Sequence, residues 1–173
     1  MVYDDLRAHF ALPDMVTLAG LAFSILAIFS ALKMDLVLAT IFIFISALCD
    51  YLDGRVARAI KREGRFGVEL DNLADVVLYL IVPIIFGYSA GLTNYLAMGV
   101  FTLFVMCGVA RLARFAICGT KDGCYEGLPV SYTIILPLIY FTLLELSLNL
   151  NWLLIFYFIP SFMMISSIKV AKP

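Results

Sequence analysis

The chain has 173 residues, 64% of them hydrophobic and 14% charged, with a formal net charge of -1 and a mean hydropathy of +1.03. That composition excludes a water-soluble globular domain and places the chain among integral membrane proteins. No linker, low-complexity tract or internal repeat interrupts it, so a single domain is expected over residues 1–173.

Met1 to Asp14 comes first. It carries Asp4, Asp5 and Pro13 ahead of the first apolar run, which does not fit a cleavable signal peptide. Val2, Leu6 and Phe10, spaced near four, fit a short juxtamembrane helix lying on the membrane surface. Six apolar runs follow, to be set against the roughly 20 residues needed to cross a bilayer. They are Met15 to Leu32, Leu36 to Leu52, Leu73 to Gly91, Tyr95 to Ala113, Leu128 to Leu146 and Trp152 to Ile168. The second is short but can extend past Leu52 where its polar end meets protein or water. The expected fold is therefore all-α and integral to the membrane: six transmembrane helices preceded by the juxtamembrane helix.

Short connections follow runs one, three and five, built around Lys33 and Asp35, Gly91 to Asn94, and Ser147 to Asn151. The other two are longer and charged. Arg55, Arg58, Lys61, Arg62 and Arg65 fall between runs two and three, and Arg111, Arg114 and Lys121 around the four-to-five connection. Arg7 precedes run one, Lys169 and Lys172 follow run six, and Lys33 alone lies on the other side. The positive-inside rule then puts both termini and both long connections in the cytoplasm. Cys49, Cys107, Cys118 and Cys124 form no metal-ligand spacing, and three sit near that cytoplasmic side, where reduced thiols are the default.

The stretch from Cys49 to Val77 holds the acids that matter. At about 100° per residue, Asp50 and Asp53 lie about 60° apart on one helix, and Asp71 and Asp75 about 40° apart on the next. Each pair shares a face, and the two pairs bracket one cytoplasmic connection, so they belong at the same depth and can converge. A lone Asp at mid-span costs roughly 2.5 to 3.5 kcal/mol, and four together repel unless protons or cations neutralise them. Hard divalent ions such as Mg²⁺ take carboxylate oxygens and keep water and substrate phosphates as further ligands, and two would match four negative charges. Gly54 and Ala57 leave the backbone open to a planar or anionic group, Arg58 offers a fork for phosphate oxygens, and Gly67 permits close approach ahead of Asp71. Together these point to a phosphate-bearing substrate.

The order D-x-x-D-G-x-x-A-R, eight residues, then G-x-x-x-D-x-x-x-D is complete here as Asp50, Asp53, Gly54, Ala57, Arg58, Gly67, Asp71 and Asp75. By it the chain resembles the CDP-alcohol phosphotransferase family, whose six-helix plan also fits the runs above. The resemblance implies transfer of a phosphatidyl-type group from a CDP-linked lipid, CDP-diacylglycerol or an archaeal counterpart, to a small alcohol, with release of CMP. It implies a two-metal centre of Mg²⁺ or Mn²⁺ held by Asp50, Asp53, Asp71 and Asp75. Asp50, Asp53, Gly54, Ala57, Arg58, Gly67 and Asp71 would line the CDP site, and Asp75 would be the general base. It further implies a multi-pass cell-membrane enzyme of phospholipid biosynthesis with its active site facing the cytoplasm, a homodimer among membrane lipids, and no nucleic-acid partner.

The acceptor is read from the four-to-five region. "ARLARF" (Ala110 to Phe115), "YEGLP" (Tyr125 to Pro129) and "ELDNLADVV" (Glu69 to Val77) are similar to the type II phosphatidylserine synthase branch, archaeal members included. L-Serine would bring a carboxylate for Arg111 and Arg114 and an ammonium group for Glu126. Glycerol 3-phosphate or inositol phosphate would place a phosphate on the same arginines.

Other charged and aromatic residues have plainer readings. Arg55, Lys61, Arg62 and Arg65 are positive-inside anchors that also attract anionic headgroups, and Arg111 and Arg114 can be read as anchors as readily as acceptor ligands; Glu69 is solvated or ion-paired, Glu145 and His9 are solvated, and Pro137 and Pro160 shape helices. Tyr140, Trp152, Phe156 and Tyr157 are expected to pack against lipid and interface. A cation or proton transporter would also place acids in a helical bundle, but would not need the small residues beside them. An intramembrane prenyltransferase would need more helices and other acid spacing.

Overall fold

The computed structural model describes residues 12–59, 65–118, 124–166 and 169–171. Within them the chain forms helices α1 (Leu12–Leu32), α2 (Leu36–Ala59), α3 (Arg65–Asp75), α4 (Val82–Ser89), α5 (Tyr95–Cys118), α6 (Leu136–Glu145) and α7 (Ile155–Ile165). A π-helical stretch, Val76–Ile81, joins α3 to α4, and 3-10 turns at Val130–Ile135 and Leu150–Leu154 lead into α6 and α7. Among the described residues four stretches are long and apolar enough to cross a membrane: Leu12–Leu32, Leu36–Arg58, Phe66–Ser89 and Tyr95–Ile117. Val130–Glu145 and Leu150–Ile165 are shorter apolar helices. The expected surface helix falls, as far as residue 11, outside the described residues, as do Lys61, Arg62 and Lys121.

A feature the all-α expectation lacks is a small antiparallel ladder: β1 (Cys124–Glu126) pairs with β2 (Lys169–Ala171), Tyr125 opposite Val170. Three-residue strands are too short for alternation to reveal them in a sequence.

Helix α1 buries its small and polar residues and exposes its large ones. Thr17, Gly20, Ser24, Ala27 and Ala31 form the buried stripe, whereas Leu18, Ile25, Leu26, Phe29 and Leu32 are exposed. This is the pattern of helices packed in lipid, where close backbone approach and interhelical hydrogen bonds replace a hydrophobic driving force. The stripe meets Ala39, Ile43, Ser46 and Ala47, which are also buried. A Cβ at Gly20 would stand 3.0 Å from Cys49 Cβ; Ser46 Oγ donates to Gly20 O at 2.7 Å and lies 2.8 Å from Ser24 Oγ. Asp35 starts α2 by accepting the Leu38 N–H at 3.0 Å. The tight hairpin that results brings the first turns of α1 beside the last turns of α2.

The π-helical stretch has a local cause. Pro83 has no N–H to give the Tyr79 carbonyl and its ring would crowd that oxygen; the backbone widens instead, and the Val82 N–H reaches Val77 O. The Pro83 carbonyl accepts from the Tyr157 hydroxyl at 2.7 Å. Tyr157 is fully buried and meets Phe101 and Phe104 edge to face at 5.0 and 5.4 Å. Tyr140 is buried too and stands edge-on to Phe86 at 5.4 Å. These two tyrosines are therefore core residues, contrary to the expectation of lipid packing, while Trp152 and Phe156 are exposed. Pro137 sits in the first turn of α6 and Pro160 inside α7.

Candidate active site

Asp50 and Asp53 stand on the same face of α2, and α3 carries Asp71 and Asp75 toward them. One carboxylate oxygen from each of Asp50, Asp53 and Asp71 lies within 4.8 Å of the other two. Asp50 and Asp53 belong to both groupings, sharing this cluster with Asp71 and lining one small void with Asp75. Two neutral hydroxyls hold the α2 acids. Thr17 Oγ1 of α1 lies 2.6 Å from Asp53 Oδ2, and the Tyr79 hydroxyl donates to Asp50 Oδ2 at 2.6 Å. Behind the acids a void of about 10 Å³ reaches Ser24 and Ser46 between α1 and α2.

In front of them opens a cavity of about 260 Å³. Asp53, Gly54, Ala57, Arg58, Gly67 and Asp71 line it, six of the seven residues expected around CDP; Asp50 belongs to the void behind. Pro13, Asp14, Thr17, Val68 and Phe115 complete its wall. A Cβ at Gly67 would stand 2.7 Å from Asp14 Oδ1, so glycine there keeps this part of the wall clear, whereas one at Gly54 would make ordinary contact with Arg58 Nη1 at 3.8 Å. Asp14 is 4% exposed and sits in the first turn of α1, where the helix dipole favours a carboxylate. Sequence reading missed Asp14 and Thr17, because an acid after a proline at a helix start signals a helix terminus rather than a site.

The two arginines of "ARLARF" part company. Arg111 is 7% exposed, lies near enough to Asp75 for its charge to act there, and sits over the Phe115 ring at 5.5 Å. Arg114 points instead to the end of α7, where its guanidinium donates to Met164 O at 3.3 Å and to Ile165 O and Ser166 O at 3.2 Å each. Gly127 of "YEGLP" packs into the same corner. It has φ +81°, and a Cβ there would stand 2.2 Å from Met164 O, so only glycine fits. The Leu128 N–H continues the contact to Met163 O at 3.1 Å. Glu126 is described by its backbone alone, on β1. Arg55 is exposed, stacks on Tyr51 at 5.4 Å and takes no part in the cavity. Glu69 and Glu145 are exposed, as expected.

The acid cluster suits a divalent cation. Its donors are hard carboxylate oxygens gathered within ligand-sharing distance, and the hydroxyls beside them fix geometry without adding positive charge. Asp50, Asp53 and Asp71 are thus a group able to hold a metal ion.

A family model described as CDP-alcohol phosphatidyltransferase matches residues 10–168. The CDP-diacylglycerol--serine O-phosphatidyltransferase of Helicobacter pylori is 34% identical over 122 residues, 68% of this chain and 52% of that protein. A protein of the same name from Bacillus subtilis is 31% identical over 123 residues, 70% of each chain. An archaetidylserine synthase of Methanothermobacter thermautotrophicus is 33% identical over 128 residues, 72% of this chain and 55% of that protein. The chain spans about half the length of the Helicobacter and Methanothermobacter relatives. Since the family match runs from ahead of α1 to beyond α7 and takes in all four acids, the chain belongs to the CDP-alcohol phosphatidyltransferase family.

Proposed function

We propose that this chain transfers a phosphatidyl-type group from a CDP-linked lipid to the hydroxyl of L-serine, giving a phosphatidylserine-type or archaetidylserine-type lipid and CMP. The observation that carries the reading is the gathering of Asp50, Asp53 and Asp71, two of which line a cavity together with Gly54, Ala57, Arg58 and Gly67 of the signature. Relatives named as serine phosphatidyltransferases and an archaetidylserine synthase support serine as acceptor.

Asp50, Asp53, Asp71 and Asp75 would hold two divalent cations, Mg²⁺ or Mn²⁺. When bound, these supply neutralisation of the diphosphate charge. Arg58, on the cavity wall, receives phosphate oxygens through its fork, while Gly54, Ala57 and Gly67 let the nucleotide lie against the helices. The serine oxygen attacks the lipid-linked phosphorus, and the bond from that phosphorus to the CMP oxygen breaks, CMP leaving with the electron pair. Asp75 takes the hydroxyl proton. Arg111 lies near enough to Asp75 for its charge to act there, so an acceptor whose carboxylate docks on Arg111 would bring its own hydroxyl toward the base, which favours a short hydroxy acid. Glu126 is the candidate for the serine ammonium group. Arg114, expected to share the acceptor, is assigned here to its carbonyl partners at the end of α7.

The chain is read as one six-span domain of the cell membrane, with both termini and the active site on the cytoplasmic side, as the distribution of Lys and Arg requires. The 3-10 turns help the last two spans: with about 2.0 Å rise per residue there and about 1.5 Å in the α-helices, each 16-residue stretch reaches about 27 Å, near the roughly 30 Å of hydrocarbon. A homodimer among membrane lipids belongs to the same reading, and crosslinking in native membranes tests it.

Purified protein incubated with a CDP-lipid, Mg²⁺ or Mn²⁺ and a panel of serine, glycerol 3-phosphate and inositol phosphate should release CMP and give a serine-bearing lipid. No CMP with any acceptor would remove the enzyme reading. CMP release with a different lipid product would move the acceptor.

A further inference from the structure

Tyr79 stands outside the signature, yet its hydroxyl donates to Asp50 Oδ2 at 2.6 Å and the residue is 4% exposed. Asp50 shares the oxygen cluster with Asp53 and Asp71 and one small void with Asp53 and Asp75, so the direction of its oxygens bears on the whole centre. Tyr79 lies within the π-helical stretch that begins right after Asp75, and with Ile43, Phe86 and Thr133 it lines a small void between α2 and the entry to α6. Both partners of the bond are thus carried on packed backbone. A phenol suits this place for an electrostatic reason. Lysine or arginine would also hold Asp50 but would cancel part of the negative charge that draws a cation, whereas a neutral donor fixes the carboxylate and leaves the charge in place.

We propose that Tyr79 is a positioning residue for the metal centre: it holds one oxygen of Asp50 and turns the other toward the hollow shared with Asp53 and Asp71, raising that hollow's affinity for a divalent cation. This rests on the metal centre proposed above, and the test separates the two. The probe is Mn²⁺ alone, added without lipid or acceptor to the purified full chain and followed by the electron paramagnetic resonance of free Mn²⁺. Tyr79→Phe keeps the ring and its packing. Tyr157→Phe removes an equally buried hydroxyl that bonds Pro83 O instead, and Asp50→Asn disables the centre itself. Tyr79→Phe should weaken Mn²⁺ binding about tenfold, the lower end of what an outer hydrogen bond to a ligand contributes, with Tyr157→Phe unchanged. Unaltered binding in Tyr79→Phe, alongside weakened binding in Asp50→Asn, would overturn the positioning role and leave the centre standing. Equal weakening in both tyrosine variants would overturn it by tracing the effect to packing. A chain that binds no Mn²⁺ without any substitution would overturn both readings.

Discussion

Replacing Arg114 by alanine separates a role in holding the bundle together from a role in binding the acceptor. Its guanidinium spans three carbonyls at the end of α7, at 3.2 to 3.3 Å, the long side of the normal range for N–H···O. Hydrogen bonds from a charged group contribute about 1.5 to 3 kcal/mol each, but stretched, half-exposed bonds sharing one side chain fall short of that sum. A total of about 2 to 3 kcal/mol is reasonable, including the benefit of a cation at a helix C-terminus. At about 2–4 °C per kcal/mol for a chain of this size, Arg114→Ala should lower the unfolding temperature in detergent by about 4–12 °C. Arg114→Lys should recover only part of it, since an ammonium keeps the charge but loses the planar fork that reaches several carbonyls at once.

Kinetics supply the second arm. At a temperature where the variant remains folded, Arg114→Ala should leave the serine KM nearly unchanged. Arg111→Ala should raise the serine KM more than the donor KM, because Arg111 lies near enough to Asp75 for its charge to act there. An Arg114→Ala protein that unfolds like the unsubstituted chain but needs much more serine would refute this division of labour and return Arg114 to the acceptor site.

Two other substitutions test the rest of the site. Asp75→Asn should lower kcat by roughly the 10²–10⁴-fold that a general base contributes, a larger loss than it causes in CDP-lipid binding; near-normal turnover would reject Asp75 as the base. Gly67→Ala puts a Cβ 2.7 Å from Asp14 Oδ1, so the Asp14 carboxylate must turn aside or, where it is held, the helix starts must part, at about 1–3 kcal/mol for overpacking. Since both residues line the cavity, the expected readout is a raised KM for the CDP-lipid. An unchanged donor KM would show that Asp14 yields without disturbing the wall.

Helical arithmetic alone placed each acid pair on one face, and the connection between the helices placed both pairs at one depth. That is why the convergence of Asp50, Asp53 and Asp71 was legible before any coordinates. Charge and spacing could not separate Arg111 from Arg114. Three residues apart on a helix means about 60° of rotation, enough for one to face α3 and the other α7, and only the neighbours' positions decide which is which. Nor could the sequence bring in Thr17, 36 residues from the Asp53 it bonds; the small-residue contact between α1 and α2 creates that proximity. Burial of Tyr140 and Tyr157 was equally hidden, because in a bilayer the lipid-facing and inward-facing surfaces of a helix are both apolar and hydropathy does not tell them apart. The residue types and their spacing determined the chemistry available, while the packing of helices remote in sequence decided which hydroxyls, arginines and aromatic rings would surround it.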